Sequence, residues 1–292
     1  MTHGLGDSLV PRMQITRSLR RVVLGLVLAV PMVGCGPKKI PAAAADQVVH
    51  EIRSRKLPRA LQARFQIRVE SNGQSGSTKG AIITHVPDQF RLEILTPLGT
   101  PMLSVASNGT AVHAWSQQLN TFFRGDDALA VLSELTGGAV TMSDVLQLLT
   151  GGLPLPDAPV LETTAREEGV WLVLAGPSDV RVRALVSPKK RLVRRVEIGR
   201  AATAESAEMV DLVAVFDVSD HMRIDGALYP EEMTIDIPPL GWTLELTFHT
   251  WDELGQIPAV FEMPVPPGAN VADLEQTLRK AAADQSLTNP PD

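Results

Sequence analysis

Ala63, Phe65, Ile67 and Val69 alternate with Gln62, Arg64, Gln66, Arg68 and Glu70. A period of two puts one set of side chains on each face of a strand, so this segment is a half-buried β-strand. The same signature recurs along the chain. Lys79–Val86, Phe90–Ile94, Met102–Ala106 and Ala111–Trp115 are predicted strands, separated by Asn72-Gly73, Pro87-Asp88, Pro97–Pro101 and Asn108-Gly109. After a break, strands are expected at Val170–Ala175, Val180–Val186, Leu192–Ile198, Met209–Phe216, Glu232–Ile237 and Thr243–Phe248. Breaks such as Asp225-Gly226 and Pro238-Pro239-Leu240-Gly241 carry turn-forming residues. Short connections between alternating segments join neighbours into an antiparallel meander.

The break has helical periodicity. Asp126 or Asp127 can cap a helix carrying Leu129, Leu132 and Leu135, ended by Gly137-Gly138. Ser143 can cap a second, with Val145, Leu146, Leu148 and Leu149, ended by Gly151-Gly152. A stiff connector, Pro154–Pro159, follows, and residues 46–57 also show helical spacing. A sheet this long must curl. The expected fold is therefore mainly β: a curved antiparallel sheet forming an unclosed half-barrel, with helices inserted mid-sequence over its concave face. Its interior is either a filled aliphatic core or an apolar cavity. Alternation alone fits both.

Ahead of the sheet stands a different kind of segment. Arg17, Arg20 and Arg21 precede the apolar run Val22–Val30, and Pro31-Met32-Val33-Gly34-Cys35 closes it. This order is that of a secretory signal, too short for the roughly 20 residues that a membrane-spanning helix needs. A start at Met13 would give it ordinary proportions. Cys35 is the only cysteine, so no internal disulfide can form. Met32-Val33-Gly34-Cys35 resembles a bacterial lipobox, which implies cleavage before Cys35 and a covalent N-acyl and S-diacylglycerol group on it. An ordinary secreted protein with a free thiol is the other reading. The expected organisation is a signal at 1–34, an acylated tether at 35–45, one domain at 46–283 and a polar, disordered tail at 284–292.

Removing residues 1–34 takes away four arginines and one aspartate, moving the net charge from −6 to −9. An acidic surface argues against nucleic-acid binding, which needs a basic patch. The six histidines are scattered, with no paired metal spacing. Neither a nucleophile elbow nor a phosphate-binding glycine loop appears. The expectation is a non-enzymatic protein without a cofactor.

Phe90-Arg91-Leu92-Glu93-Ile94-Leu95-Thr96-Pro97-Leu98-Gly99, then Leu135-Thr136-Gly137, then Leu148-Leu149-Thr150-Gly151-Gly152-Leu153-Pro154 form a sequence of motifs over residues 60–155. They resemble the LolB family of outer-membrane lipoprotein receptors, within the LolA/LolB superfamily. The second half is longer than in typical members, as in a divergent relative. The resemblance implies an unclosed barrel that binds lipoprotein acyl chains, a periplasmic LolA-like carrier as donor, and a monomer anchored at the outer membrane facing the periplasm. It also implies a membrane-insertion loop, here Pro97, Leu98 and Gly99. Leu98 either projects from that loop or folds back onto the sheet. Candidate cavity residues are Phe90, Leu92, Ile94, Met102, Trp115, Leu132, Leu146, Leu149 and Trp171, with Val105, Met209 and Phe248 as further apolar candidates. For each, ordinary core packing is the alternative. A scaffold lipoprotein of an envelope complex on the same fold is the alternative function.

Overall fold

The structure is a computed structural model that describes residues 42–54, 58–71, 73–127, 138–155 and 157–280. Its fourteen strands form one sheet. The first meander comprises β1 (Ala60–Ser71), β2 (Gln74–His85), β3 (Gln89–Leu95), β4 (Pro101–Asn108), β5 (Val112–Ser116) and β6 (Thr121–Gly125). The second comprises β7 (Val160–Arg166), β8 (Gly169–Ala175), β9 (Val180–Ser187), β10 (Leu192–Ala201), β11 (Met209–Ile224), β12 (Ala227–Ile237) and β13 (Trp242–Glu253). Antiparallel pairing of β1 with β13 joins them. The order is β14-β6-β5-β4-β3-β2-β1-β13-β12-β11-β10-β9-β8-β7, where β14 (Asn270–Asp273) runs parallel to β6. The sheet is unclosed, with β7 and β14 as its edges. This is the mainly β half-barrel expected from the alternation.

The turns explain the meanders. Ile224 pairs with Ala227 across Asp225-Gly226, both at positive φ, the two-residue geometry that suits strand twist. Ser71 pairs with Gln74, with Gly73 of the connection at φ 74°. Four departures from the sequence reading have local causes. Strands β6 and β7 escaped notice because Thr121–Gly125 is short and Val160–Arg166 is a mixed polar edge strand. Strand β14 has only four residues, which is too few for a period. Several strands also run longer than their apolar stretch, as β11 does to Ile224.

Register sorts residues by face, because directly opposed residues in antiparallel strands point the same way. The inner face carries Ala63, Phe65, Ile82, Leu172, Ala184, Val196, Phe216, Met233 and Phe248, one continuous aliphatic and aromatic core. Phe65 lies opposite Gly80, where a β-carbon would meet the Phe65 ring at 2.5 Å. Glycine is thus what admits the ring.

Among the described residues, two helices ahead of the second meander pack on this face. Helix α1 (Ala42–Arg53) begins and ends earlier than the spacing of residues 46–57 suggested, and buries Val48, Val49 and Ile52. Its Arg53 donates to the Ala158 carbonyl beside β7. Helix α2 (Met142–Leu149) buries Leu146 and Leu148. Its cap is Thr141, not Ser143. Thr141 Oγ1 accepts from the Asp144 amide at 3.2 Å, and Asp144 Oδ2 accepts from the Thr141 amide at 3.1 Å. The reciprocal pair makes a capping box one frame ahead of the serine. At the other end the Gly152 amide reaches Gln147 O and the Gly151 amide reaches Leu148 O, with Gly151 at φ 80°. That is the glycine stop expected there. The expected helix carrying Leu129, Leu132 and Leu135 lies outside the described residues.

After β13 the chain becomes a strap over the outer face of the first meander. Leu254 N–H donates to Ala60 O, Phe261 stacks on His85, and Arg91 donates to Val260 O. The strap then turns at 266–269, pairs as β14, and ends in a short helix, α3 (274–280), whose Leu274 and Leu278 pack on Phe90, Val112 and Leu146.

Candidate functional site: a graded apolar face and an exposed hairpin tip

The inner face is not uniform along the strands. On β1, Leu61, Ala63 and Phe65 are 1, 0 and 2 % exposed, Ile67 is half-buried, and Val69 reaches 36 %. Strand β13 shows the same gradient from Trp251 and Phe248, both buried, through Leu246 to half-buried Leu244. On β12, Met233 and Ile235 are buried and Ile237 is half-buried. On β3, Phe90 is buried, whereas Leu92 and Ile94 are half-buried. Register places Ile67, Val69, Ile94, Ile237 and Leu244 toward one end of the sheet. The apolar face is therefore sealed at one end and open at the other. Removing such partly exposed side chains from water would be worth about 25 cal/mol per Å² to whatever covers them.

The loop Thr96–Thr100 stands at this open end. Pro97 fixes one turn position, and the Gly99 amide closes the turn on Thr96 O at 2.9 Å with Gly99 at φ 83°. The Thr96 amide donates to Thr100 O at 2.8 Å, and the two threonine hydroxyls lie 2.8 Å apart. Leu98 is 92 % exposed at the tip. It projects, and does not fold back onto the sheet. A rigid turn that holds a leucine in water is an apolar group awaiting an apolar partner.

The other candidates divide by face. Phe90, Leu92 and Ile94 share the inner face, as does Val105 opposite Leu92. Leu146 is 1 % exposed and packs with Phe90 and Val112, while Leu149 is half-buried on the same cluster. Phe248 is core. Three expectations change. Met102 falls in a β4 irregularity, and Leu103 is the residue opposite Ile94. Trp115 pairs with Ser104 and Phe122, and so points outward, while its neighbour Ala114 faces in. Trp171 lies between Val170 and Leu172, both core, and so also faces outward. There it lies 4.9 Å beneath the Arg183 guanidinium, and its indole donates to Glu168 Oε1 at 3.0 Å. That hydrogen bond is the main reason the Glu168 carboxyl sits below its usual pKa. Leu132 lies outside the described residues. Apolarity alone selected these tryptophans. Counting strand parity from Phe65 would have selected Leu103, Leu244 and Ile237 instead.

Trp171, Arg183 and Glu197 instead line an outer-face groove of about 600 Å³, with Met209 and Val210 on its rim. Arg183 and Arg195 both bond Glu197 there. Charged walls of this kind do not suit an acyl chain. The adjoining loop is held by Arg181, 0 % exposed, which donates to the Ser206, Val180, Thr203 and Ala204 carbonyls.

Solved structures of the same shape exist. A LolA superfamily protein from Nitrosomonas europaea superposes with a TM-score of 0.51 at 13 % identity, over 75 % of this chain and 97 % of that one. A DUF1329 family protein from Desulfovibrio piger gives 0.52 at 12 % identity, over 76 and 96 %. A putative outer membrane lipoprotein-sorting protein domain from Vibrio parahaemolyticus gives 0.51 at 9 % identity, over 75 and 96 %. The chain has a divergent LolA/LolB-like fold. At these identities the likeness is one of fold. No protein-family model and no curated protein sequence matches the chain. Within the LolA/LolB-like fold, the concave face is the surface on which helices α1, α2 and α3 pack, and its open end is the part that these described helices leave partly accessible.

Proposed function

We propose that this chain is a lipid-anchored, non-enzymatic receptor that takes lipoprotein acyl chains on the open end of its concave face. It then passes them to the outer membrane past Leu98. One observation carries the reading: the inner face loses its cover toward the end where Leu98 stands 92 % exposed. An acyl chain gains about 0.8 kcal/mol per buried methylene, so a partly exposed aliphatic face is a suitable intermediate between a carrier and a bilayer. Transfer needs no nucleotide. A LolA-like periplasmic carrier of lower affinity would make it downhill. Acylated Cys35 would supply location, and Leu98 the entry point. The LolA/LolB-like fold supports the reading, and so does the shape shared with the Vibrio lipoprotein-sorting protein domain.

The second reading, a scaffold of an envelope complex, is favoured by the outer groove, whose Trp171, Arg183 and Glu197 suit a protein partner better than lipid. Two experiments separate them. Photo-crosslinkers at Leu92 and Ile94 are expected to label lipoprotein acyl chains, and a folded protein that crosslinks none supports the scaffold. In cells depleted of the protein, Leu98→Glu is expected to leave lipoproteins in the periplasm or inner membrane while the protein folds normally. Full restoration by that variant would sink the insertion role.

A further inference from the structure

The open end of the sheet carries more than Leu98. Hairpin β5–β6 turns at 117–120 on the same side, and Leu119 there is 62 % exposed. Hairpin β12–β13 turns at 238–241, with Pro238 and Pro239 exposed and Leu240 and Trp242 half-buried. The strap turns at 266–269 beside Asn120, whose side chain donates to Gly268 O.

Charge separates this rim from the rest of the molecule. The connections 96–100, 117–120, 238–241 and 266–269 contain no Asp, Glu, Lys or Arg. On the packed half of the same end, Asp179 and Glu205 interrupt the pattern, and the opposite end carries Asp88, Glu167, Lys189 and Asp225. Each of these turns also closes on its own backbone. Gly99 N–H donates to Thr96 O, Asn120 to Gln117 O at 3.2 Å, Gly241 to Pro238 O at 3.0 Å, and Ala269 to Pro266 O at 3.1 Å. A turn that pairs its own amide and carries no charge loses little on entering a low-dielectric layer. An open or charged turn pays the full desolvation penalty. Half-buried Trp242 has the amphipathic character that favours a headgroup boundary.

We propose that these four turns form a docking rim that beds into the interface of an electrically neutral lipid surface, with Leu98 as one of several contacts. The occupant is lipid because the rim offers exposed apolar side chains without a charge to recognise an anionic headgroup or an acidic protein. This deepens the receptor reading and rests on it for the role of Leu98. It makes a separate claim about Leu119 and Pro239.

The test uses the full acylated chain in phosphatidylcholine vesicles. Acylation consumes Cys35, so an introduced cysteine takes an environment-sensitive fluorophore alone. Probes at Leu98→Cys, Leu119→Cys and Pro239→Cys are expected to brighten severalfold, shift to the blue and be quenched by doxyl lipid. Probes at Lys189→Cys and Asp225→Cys should stay as in water. A response at 98 without one at 119 and 239 overturns the rim and spares the single insertion loop. Probes at 189 or 225 responding instead would show the opposite end docked, and overturn it too. Displacement of a fluorescent fatty acid from the same preparations tests acyl binding separately. A silent rim on a protein that still binds the fatty acid rejects the rim alone, whereas a responding rim without acyl binding rejects the receptor reading alone.

Discussion

The two halves of the sheet are built alike and used differently. In β8–β10 the inner face is Val170, Leu172, Val182, Ala184, Val196 and Ile198, each at most 1 % exposed. In β1–β4 the inner face passes from buried Phe65 and Phe90 to half-buried Ile67, Leu92 and Ile94. Outside, the roles reverse. The strap covers the first half through Phe261 and Val260, whereas the second half keeps the groove around Trp171. The difference teaches that stability and accessibility have been assigned to separate halves of one sheet. A close-packed half can hold the curvature while the other half leaves apolar surface partly uncovered.

Paired truncations would break that division if it were false. Leu172→Ala leaves a cavity in the packed half and is expected to cost roughly 3 kcal/mol, within the range for buried leucines. Ile94→Ala, already partly in water, should cost less than about 1.5 kcal/mol but weaken fatty-acid binding severalfold. Urea unfolding and a displacement titration on both variants give the comparison. Equal costs would mean that the open end is core, and equal affinities would mean that it is not the site.

Arg181 sharpens the contrast from the outer side of the packed half. Its guanidinium is fully buried, and its partners are carbonyls. Arg181→Met removes the charge but strands carbonyls of the 203–206 loop, at an expected cost of about 2 kcal/mol. Hydrogen exchange should localise the loosening to that loop and β9, leaving the Thr96–Thr100 turn unchanged. Protection lost across both halves would show that they are one cooperative unit.

Much of this was legible in the chain, for reasons visible in particular residues. Alternation at Ala63–Val69 and turn dipeptides such as Asp225-Gly226 act locally, so they specified strands and hairpins without tertiary knowledge. Leu98 was placed on its turn because Pro97 and Gly99 define one. What escaped was what depends on partners distant in sequence. The β1–β13 pairing that fuses the meanders joins residues almost the length of the domain apart. Strand β14 is a strand only because β6 offers it an edge. Trp115 and Trp171 were misplaced because size and apolarity suggest burial without naming a face, and the face is decided by register against Phe122 and Leu185.

Helix α2 touches both halves, with Leu148 in the large core and Leu146 on the cluster of Phe90 and Val112. Thr141→Ala removes one arm of its capping box, and a loss of about 1 kcal/mol is expected. Because the helix bridges the two clusters, the loss should appear in global unfolding and also as faster exchange of fatty acid. A variant destabilised but unchanged in exchange would place α2 with the packed half alone.

The smallest effect concerns a surface pair on the packed half. Arg200 Nη1 donates to both Asp179 oxygens at 3.0 Å, and this hydrogen bonding is the main cause holding the Asp179 carboxyl below its ordinary value of 3.8. A carboxylate with a depressed folded-state pKa stabilises the fold above its unfolded pKa. That contribution disappears as pH falls through the folded value. Asp179→Asn should therefore melt slightly below the parent at pH 7, and the gap should narrow as the solution is acidified below about 3.8, the ordinary carboxyl value. The pair is exposed to solvent, so salt should shrink the gap at pH 7. Melting curves across pH and salt decide it. A gap that persists in acid would mean that Asp179 acts through the backbone turn at 176–179, and that the packed half owes nothing to charge at this edge.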